Sequence, residues 1–468
     1  MWRYTEKLTR DSFQKSNCLN LIDRNIKLTP RKKAIQIFEA AVAAVQQVRL
    51  IPAHLFIKLN QLHILDQHFL LHELPNIYII GAGKASAAMA ATTEAILGNF
   101  ITAGIVVTKF DHALSLQKIT CLEAAHPVPD EAGIEATKKT IQLLQQAGNN
   151  DIIICLISGG CSSLWIDIPD GATLNDVQKT FNLLLQCGAN IEEINTIRKH
   201  LSAIKGGQLL QHAPKANWFT FIISDVPGDD LSVIASGPTV ADNSSFADVK
   251  NIVEKYDLTN QLPASILKHI NDGANRLVNE TPKPGDTIFK QVQNKIIGNN
   301  SIALKAAEKK AKAFGYHIAL VDGNMKGDAA TFGKEIISRC KKYSGKKPAC
   351  MLFGGETTVK VTGKGKGGRN QQLVLSALIE LHKKEKTNLN LQLIILSAGT
   401  DGTDGPTDAA GAIADKEIVR IALENKLDAQ HFLADNDAYH FFEQTGGLVK
   451  TGATQTNVMD LVVVLIDN

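Results

Sequence analysis

Two glycine-studded segments hold the residues of this chain best suited to chemistry: GGETTVKVTGKGKGGRNQQ from Gly354 to Gln372, and SAGTDGTDGPTDAAG from Ser397 to Gly411. The first sets Glu356, Lys364, Lys366 and Arg369 among six glycines; the second sets Asp401, Asp404 and Asp408 among four glycines and a proline. Glycine lets a backbone approach a ligand closely or take positive φ, and cations beside such amides make an anion site. Carboxylates nearby add hard oxygen ligands for Mg2+, which keeps several waters and binds through one or two carboxylates plus substrate phosphates. Together these features point to the handling of phosphate, with Gly354, Gly355 and Glu356 offering amides, and Asp401 and Asp404 contacting metal or ribose.

Further turns close apolar runs. GAGKAS (81–86) ends one run and opens a helical pattern, so Gly83, Lys84 and Ser86 stand where an anion meets a helix amino terminus. The plain alternative is a helix start with an exposed lysine. The pattern lacks the third glycine of the dinucleotide fingerprint, and the next strand ends at Thr108-Lys109 where a ribose-binding acid is needed, so NAD binding is disfavoured. It does not have Walker A spacing either. SGGCSS (158–163) offers Ser158, Gly159, Gly160 and Ser162 to a phosphate, or is simply a tight turn; it is not the GxSxG of a serine hydrolase. SDVPGDD (224–230) puts Asp225 at a strand tip with Asp229 just beyond. These carboxylates suit a proton acceptor or a metal ligand, and equally an Asx turn. His126 in HPVPD and Asn299 in GNN are candidate liners of the same site.

The elements that must position these groups are strands alternating with longer helical patterns, which implies an α/β fold with a mostly parallel, Rossmann-like sheet. The runs are 76–81, 102–108, 119–125, 151–160 and 218–225, then 295–300, 317–323, 349–356, 357–363, 391–399 and 461–467. TPKPGDT (281–287) is the best linker. The expected division is an extension over 1–30, a large domain over 31–290 and a smaller α/β domain over 291–468, with the last strand free to pack back on the first domain.

A chain of 468 residues with 44% hydrophobic and 21% charged residues suits a soluble two-domain protein. A net charge of +3, without a basic stripe, argues against nucleic acid as a partner. Seven cysteines without metal spacing suit a reducing cytoplasm. No run reaches the length of a membrane span, and the first 30 residues lack a signal-peptide core.

The segments GAGKASAAMA, AAHPVPDEAG, SGGCSSL, INTIRKHLSAIKGGQL, SDVPGDDLSVIASGPT, GGETTVKVTGKGKGGRNQQ, SAGTDGTDGPTDAAGA and TGATQTNVMDL occur in one order from about residue 31 to the end. In them the chain resembles the glycerate 2-kinase family, the class II glycerate kinases with a DUF4147-type amino-terminal domain and a MOFRL carboxyl-terminal region. The resemblance implies phosphorylation of D-glycerate at its 2-hydroxyl, dependent on ATP and Mg2+, in a cleft between the two domains. It gives Lys84, Asp225 and Arg369 as the principal active-site residues; among the carboxylates, Asp225, Asp229 and Asp401 are the candidate metal ligands by residue type and position. Cys161 and Ser163 stand where glycine and alanine are common in the family, and Ala453 where proline is usual. The partners implied are glycerate and a nucleotide, with a monomer or a homodimer as the assembly. The alternatives are an NAD(P)H-dependent hydroxypyruvate reductase, transfer to the 3-hydroxyl, and a non-catalytic nucleotide-binding protein.

Overall fold

The structure, a computed structural model, describes residues 28–382 and 392–467. Six apolar runs form one sheet in which every pair is parallel, ordered β6-β5-β4-β7-β8-β9. The strands are β4 (Ile77–Ala82), β5 (Ala103–Lys109), β6 (Ile119–Ala124), β7 (Ile152–Ile157), β8 (Asn217–Ile223) and β9 (Val292–Gly298). All residues of β4 and β7 are buried, as continuous hydrophobic strands covered on both faces must be. From β4 the chain winds outward to β6, and from β7 outward to β9, so strand order reverses between β4 and β7. In open α/β sheets that switch point is where ligands sit, beyond the carboxyl ends of the strands.

A second sheet is ordered β10-β11-β15-β12-β13-β14. Its strands are β10 (His317–Met325), β11 (Ala349–Gly355), β12 (Gln392–Gly399), β13 (Gly411–Ala414), β14 (Leu448–Val449) and β15 (Asp460–Asp467). Only β10 and β11 run parallel. The last strand is part of the second sheet. It lies between β11 and β12, the place that buries both faces of LVVVLI.

Helix α1 (Pro30–Ala44) connects the two sheets. Thr29 caps it, Pro30 opens it, and Ala34, Ile37, Phe38, Ala41 and Val42 form its buried stripe. It packs on β15, on β12 and on the helix Asn300–Ala313, so one continuous core joins Ile79 and Ile154 of the first sheet to Leu396 and Val463 of the second.

Three expectations change. Residues 295–300 do not begin the second sheet: β9 is the edge strand of the first, and 281–287 is a tied loop within that unit, with Thr281 donating to Asp242. Residues 357–363 are not a strand, because the amides of Thr362 and Gly363 donate to Asn436 Oδ1 and leave no ladder to a neighbour. A three-stranded antiparallel sheet, β1 (Leu55–Lys58), β2 (Gln61–Ile64) and β3 (Gln67–Leu70), was not anticipated; its turns place Leu59, Asn60 and Leu65 at positive φ in place of glycine. No single helix among the described residues is long and apolar enough to cross a membrane.

Candidate active site

The carboxyl ends of β4 and β7 meet at two turns that lock one another. Gly83, at φ 133°, lets the chain pass against Ser158, whose amide donates to Ala82 and whose hydroxyl accepts from Ala85. The Lys84 amide donates to the Gly159 carbonyl at 2.9 Å. Ser86 belongs to this lock and not to a ligand surface: it is fully buried and its hydroxyl faces the carbonyls of Gly83 and Val107. With the backbone pinned, the Lys84 side chain reaches across to the second sheet, where its Nζ lies 3.4 Å from Asp401 Oδ2. The other oxygen of Asp401 accepts from the amide and hydroxyl of Thr403, both at 3.0 Å, which fixes the carboxylate's direction.

Asp225 follows β8 and faces the same turn. A β-carbon on Gly159 would lie 1.8 Å from Asp225 Oδ2, so only glycine allows that approach. Asn457 donates to the same oxygen at 3.0 Å. Burial holds the Asp225 carboxyl above its ordinary range; Asp401 adds to the effect and Lys84 opposes it. The amides of Gly159 and Gly160 meet no hydrogen-bond acceptor among the described residues, so two donors stand free beside Lys84 and Asp225. The ring of His126 lies against Gly160. Burial, then Lys84 and Lys109, push its pKa down to about 4, so it is a neutral imidazole near pH 7. Ser162 is turned to Ser236, their hydroxyl oxygens 3.4 Å apart.

Arg369 opens helix α2 (Arg369–His382). Its Nε and Nη2 donate to the two oxygens of Asp460 at 2.5 and 2.9 Å, and its Nη1 lies 2.6 Å from Glu356 Oε1. Asp460 is fully buried at the start of β15. Burial alone would loosen the Arg369 proton, but Asp460 and Glu356 hold it above its ordinary value; burial in turn raises Glu356.

Other residues singled out by sequence serve the frame. Asp404 is buried and accepts from the amides of Asn370 and Gln371, capping α2, with its carboxyl pushed up to about 7 by burial against those two amides. Gly354 and Gly355 pair with β15, and the Glu356 amide donates to Met325, so that turn offers no free amide. The amides of Lys364 and Lys366 donate to Asp435 and Asp437, and the Lys366 ammonium sits 4.5 Å over Tyr439, whereas Arg369 pairs with Glu356, whose carboxyl feels the charges of Asp225 and Lys84. Asn299 caps the helix beginning at Asn300 and donates to Asp229 at 2.5 Å, so one oxygen of Asp229 is engaged in the frame. The INTIRKHLSAIKGGQL segment is bracing: Lys199 pairs with Asp242 at 3.2 Å, and buried Lys205 donates to Trp165 at 2.6 Å, closing the one-turn helix Cys161–Leu164. Cys161 is buried, its thiol pushed up to about 12, so it is inert.

Sequence reasoning passed over Asn457 and Asp460. A carboxylate opening the run DLVVVLID is a signal in itself, because a buried charge at the head of an apolar strand needs a cation. Among the described residues no three His, Cys, Asp or Glu side chains converge as a preformed metal set. Asp225, Asp401 and Glu356 are carboxylates whose charges are felt around Lys84, so each is an oxygen donor available to an Mg2+ ion that arrives with phosphates.

Residues 33–271 match the family described as a domain of unknown function, DUF4147, and residues 349–460 match the MOFRL family. A chain named glycerate 2-kinase from Pyrococcus horikoshii is 38% identical over 83% of this chain and 87% of its own length. A chain from Agrobacterium vitis that carries a hydroxypyruvate reductase name is 40% identical over 83% of this chain and 86% of its own. The crystal structure of glycerate kinase from Thermotoga maritima superposes with a TM-score of 0.80 at 37% identity, covering 93% of this chain and 99% of that one. With both halves matched and relatives of this similarity aligned over most of its length, the chain belongs to the glycerate kinase family.

Proposed function

We propose that the protein transfers the γ-phosphoryl group of ATP to the 2-hydroxyl of D-glycerate, giving 2-phosphoglycerate and ADP. The observation that carries this reading is the meeting of Lys84, Asp401 and Asp225 beside two unspent glycine amides at the switch point of the first sheet. Phosphoryl transfer asks a protein mainly for positioning and charge neutralisation. Lys84 and the amides of Gly159 and Gly160 neutralise the transferred group. Asp225 takes the 2-hydroxyl proton as the 2-oxygen bonds to phosphorus and the bond to the ADP oxygen breaks. The raised Asp225 carboxyl makes it a better base than an exposed aspartate, and Asn457 keeps one of its oxygens aimed. Neutral His126 donates or accepts a hydrogen bond without adding charge. Arg369, preset by Asp460, presents its fork to the glycerate carboxylate or the phosphoryl oxygens. Mg2+, when bound, would supply charge neutralisation at the nucleotide phosphates, with Asp401 as the carboxylate that would hold it.

The boundary between two lobes falls between β9 and the helix after it, and the substrates enter between the loops of the two sheets. The six described cysteines are free, which fits a reducing cytoplasm. The test is ADP release that depends on D-glycerate and Mg2+; ATP binding without glycerate-dependent ADP would leave a binding protein.

The Agrobacterium name favours a second reading, NAD(P)H-dependent reduction of hydroxypyruvate. Against it, β5 ends at Lys109, which lines a hollow of about 80 Å3 with Lys84 and Asp401. The ribose 2′-hydroxyl of NADH needs an acid there, and GAGKAS lacks the third glycine of the turn that holds the pyrophosphate of either nicotinamide cofactor. Oxidation of NADH or NADPH by hydroxypyruvate in the presence of the protein would reverse that choice.

A further inference from the structure

Two hollows adjoin the neighbours of Asp225, one beside Lys84 and one beginning at Val226, and they differ in size. The one beside Lys84, Lys109 and Asp401 holds about 80 Å3 and is lined by charge. The other holds about 310 Å3 and lies between the loop after β8 and the helix α3, Asn300–Ala313. One chain segment joins them. Ala453 and Thr456 line the small hollow, Asn457 holds Asp225, and Met459 lines the large one. Val226, the residue after Asp225, forms part of the large hollow's wall.

Size and chemistry divide the substrates between them. A cofactor pocket usually spans about 300–1,000 Å3, with mostly apolar walls and a few polar groups. The small hollow falls well short of that and suits a short acid. The large one reaches it: Val226, Pro227, Leu304, Val321 and Met459 are its apolar walls, and Asp229, Asn300, Ser301, Lys305 and Glu308 make the rest of it polar. Val321 is 41% exposed on the unpaired edge of β10, an apolar surface left without cover. At the same hollow Ser301 and Lys305 make no hydrogen bond or ion pair among the described residues, which leaves a hydroxyl and a cation for a ligand.

Resting on the kinase reading above, we infer that this hollow is the nucleoside subsite. The purine of the phosphoryl donor packs between Pro227 and the Leu304–Val321 wall. Ser301 and Lys305 face the ribose and α-phosphate, and the γ-phosphate reaches Asp225 and Lys84. The donor therefore enters past β10 and glycerate past Lys109, on opposite sides of the 453–459 segment.

Strand β10 offers a way to fill the hollow without touching the reacting groups. A β-carbon on Gly323 would meet only Leu304 Cδ1, at 3.6 Å, and its φ is not in the left-handed region. Gly323→Trp and Val321→Trp each place an indole in the hollow; because Val321 is already exposed, the second variant keeps the test alive if the first does not fold. Binding of ADP is measured calorimetrically without glycerate, and KM for ATP and for D-glycerate is measured on the same proteins. The subsite predicts that the ADP dissociation constant and the KM for ATP rise at least about tenfold in both variants, while the KM for glycerate changes little. ADP affinity unchanged in a folded variant overturns it, as does a wild-type protein that binds no ADP. A wild type that binds ADP, weakens in both variants and never phosphorylates glycerate would overturn the kinase reading and keep the subsite.

Discussion

Replacing Arg369 by lysine keeps the charge and removes the fork, and the structure says what the fork does. Three guanidinium nitrogens reach three carboxylate oxygens, two on Asp460 at 2.5 and 2.9 Å and one on Glu356 at 2.6 Å. A lysine nitrogen on a shorter head can meet one of them well. Two charge-assisted bonds are then lost, each worth about 1.5–3 kcal/mol. The Arg369 side chain is 33% exposed, so water recovers part of this, and a net loss of about 2 kcal/mol is the working figure. Asp460 is left fully buried with one partner, which puts that loss into folding stability. If the same guanidinium touches substrate, a similar loss in transition-state stabilisation lowers kcat/KM about 30-fold. Urea unfolding and glycerate-dependent ADP release on one preparation of Arg369→Lys measure both effects. Wild-type stability would refute the clamp. Wild-type kcat/KM with reduced stability would leave Arg369 a brace between α2 and β15 and remove it from catalysis.

Three further outcomes follow from the geometry around Asp225. Gly159→Ala introduces a β-carbon 1.8 Å from Asp225 Oδ2, so it should lower kcat roughly 100-fold or more by displacing the base; a normal kcat would show that Asp225 need not sit there. Asp225→Asn should lower kcat roughly 100- to 10,000-fold with little change in Tm, and recovery of rate at raised Mg2+ would reassign the residue from proton acceptor to metal ligand. His126 has a folded pKa of about 4 against an ordinary 6.5, so on acidification the unfolded chain takes up a proton that the fold refuses. Its contribution to stability is present above 6.5 and fades as the pH falls toward 4. NMR titration of its ring should give a midpoint near 4, rising in Lys84→Met as the Lys84 charge is removed; an ordinary midpoint would contradict the buried, cation-flanked placement.

The parallel sheet was legible because β4, β7 and β8 are buried on both faces and read as unbroken apolar runs. The places of Lys84 and Asp225 just past strand ends, and of Arg369 at a helix start, were legible from the glycine turns beside them. What failed was telling which polar groups face a ligand and which hold the frame. Asp404 and Ser86 have the right types in the right segments, yet their oxygens are spent on backbone amides and carbonyls, and only the fold reveals the partners. Residues 357–363 alternate like a strand, but the side chains that take up their amides lie more than 70 positions away, near Asn436. The small sheet of β1 to β3 hid behind turns without glycine, and the central place of β15 depends on pairing two strands distant in sequence.

The identity of the product tests transfer to the 2-hydroxyl without intermediaries. The protein is incubated with ATP, Mg2+ and D-glycerate, and the product is passed to enolase with no phosphoglycerate mutase present. Phosphoenolpyruvate should appear at the rate of ADP formation, because 2-phosphoglycerate is the isomer that enolase takes. ADP formation without phosphoenolpyruvate, restored by adding the mutase, would place the phosphoryl group on the 3-hydroxyl and contradict the role of Asp225 as acceptor of the 2-hydroxyl proton.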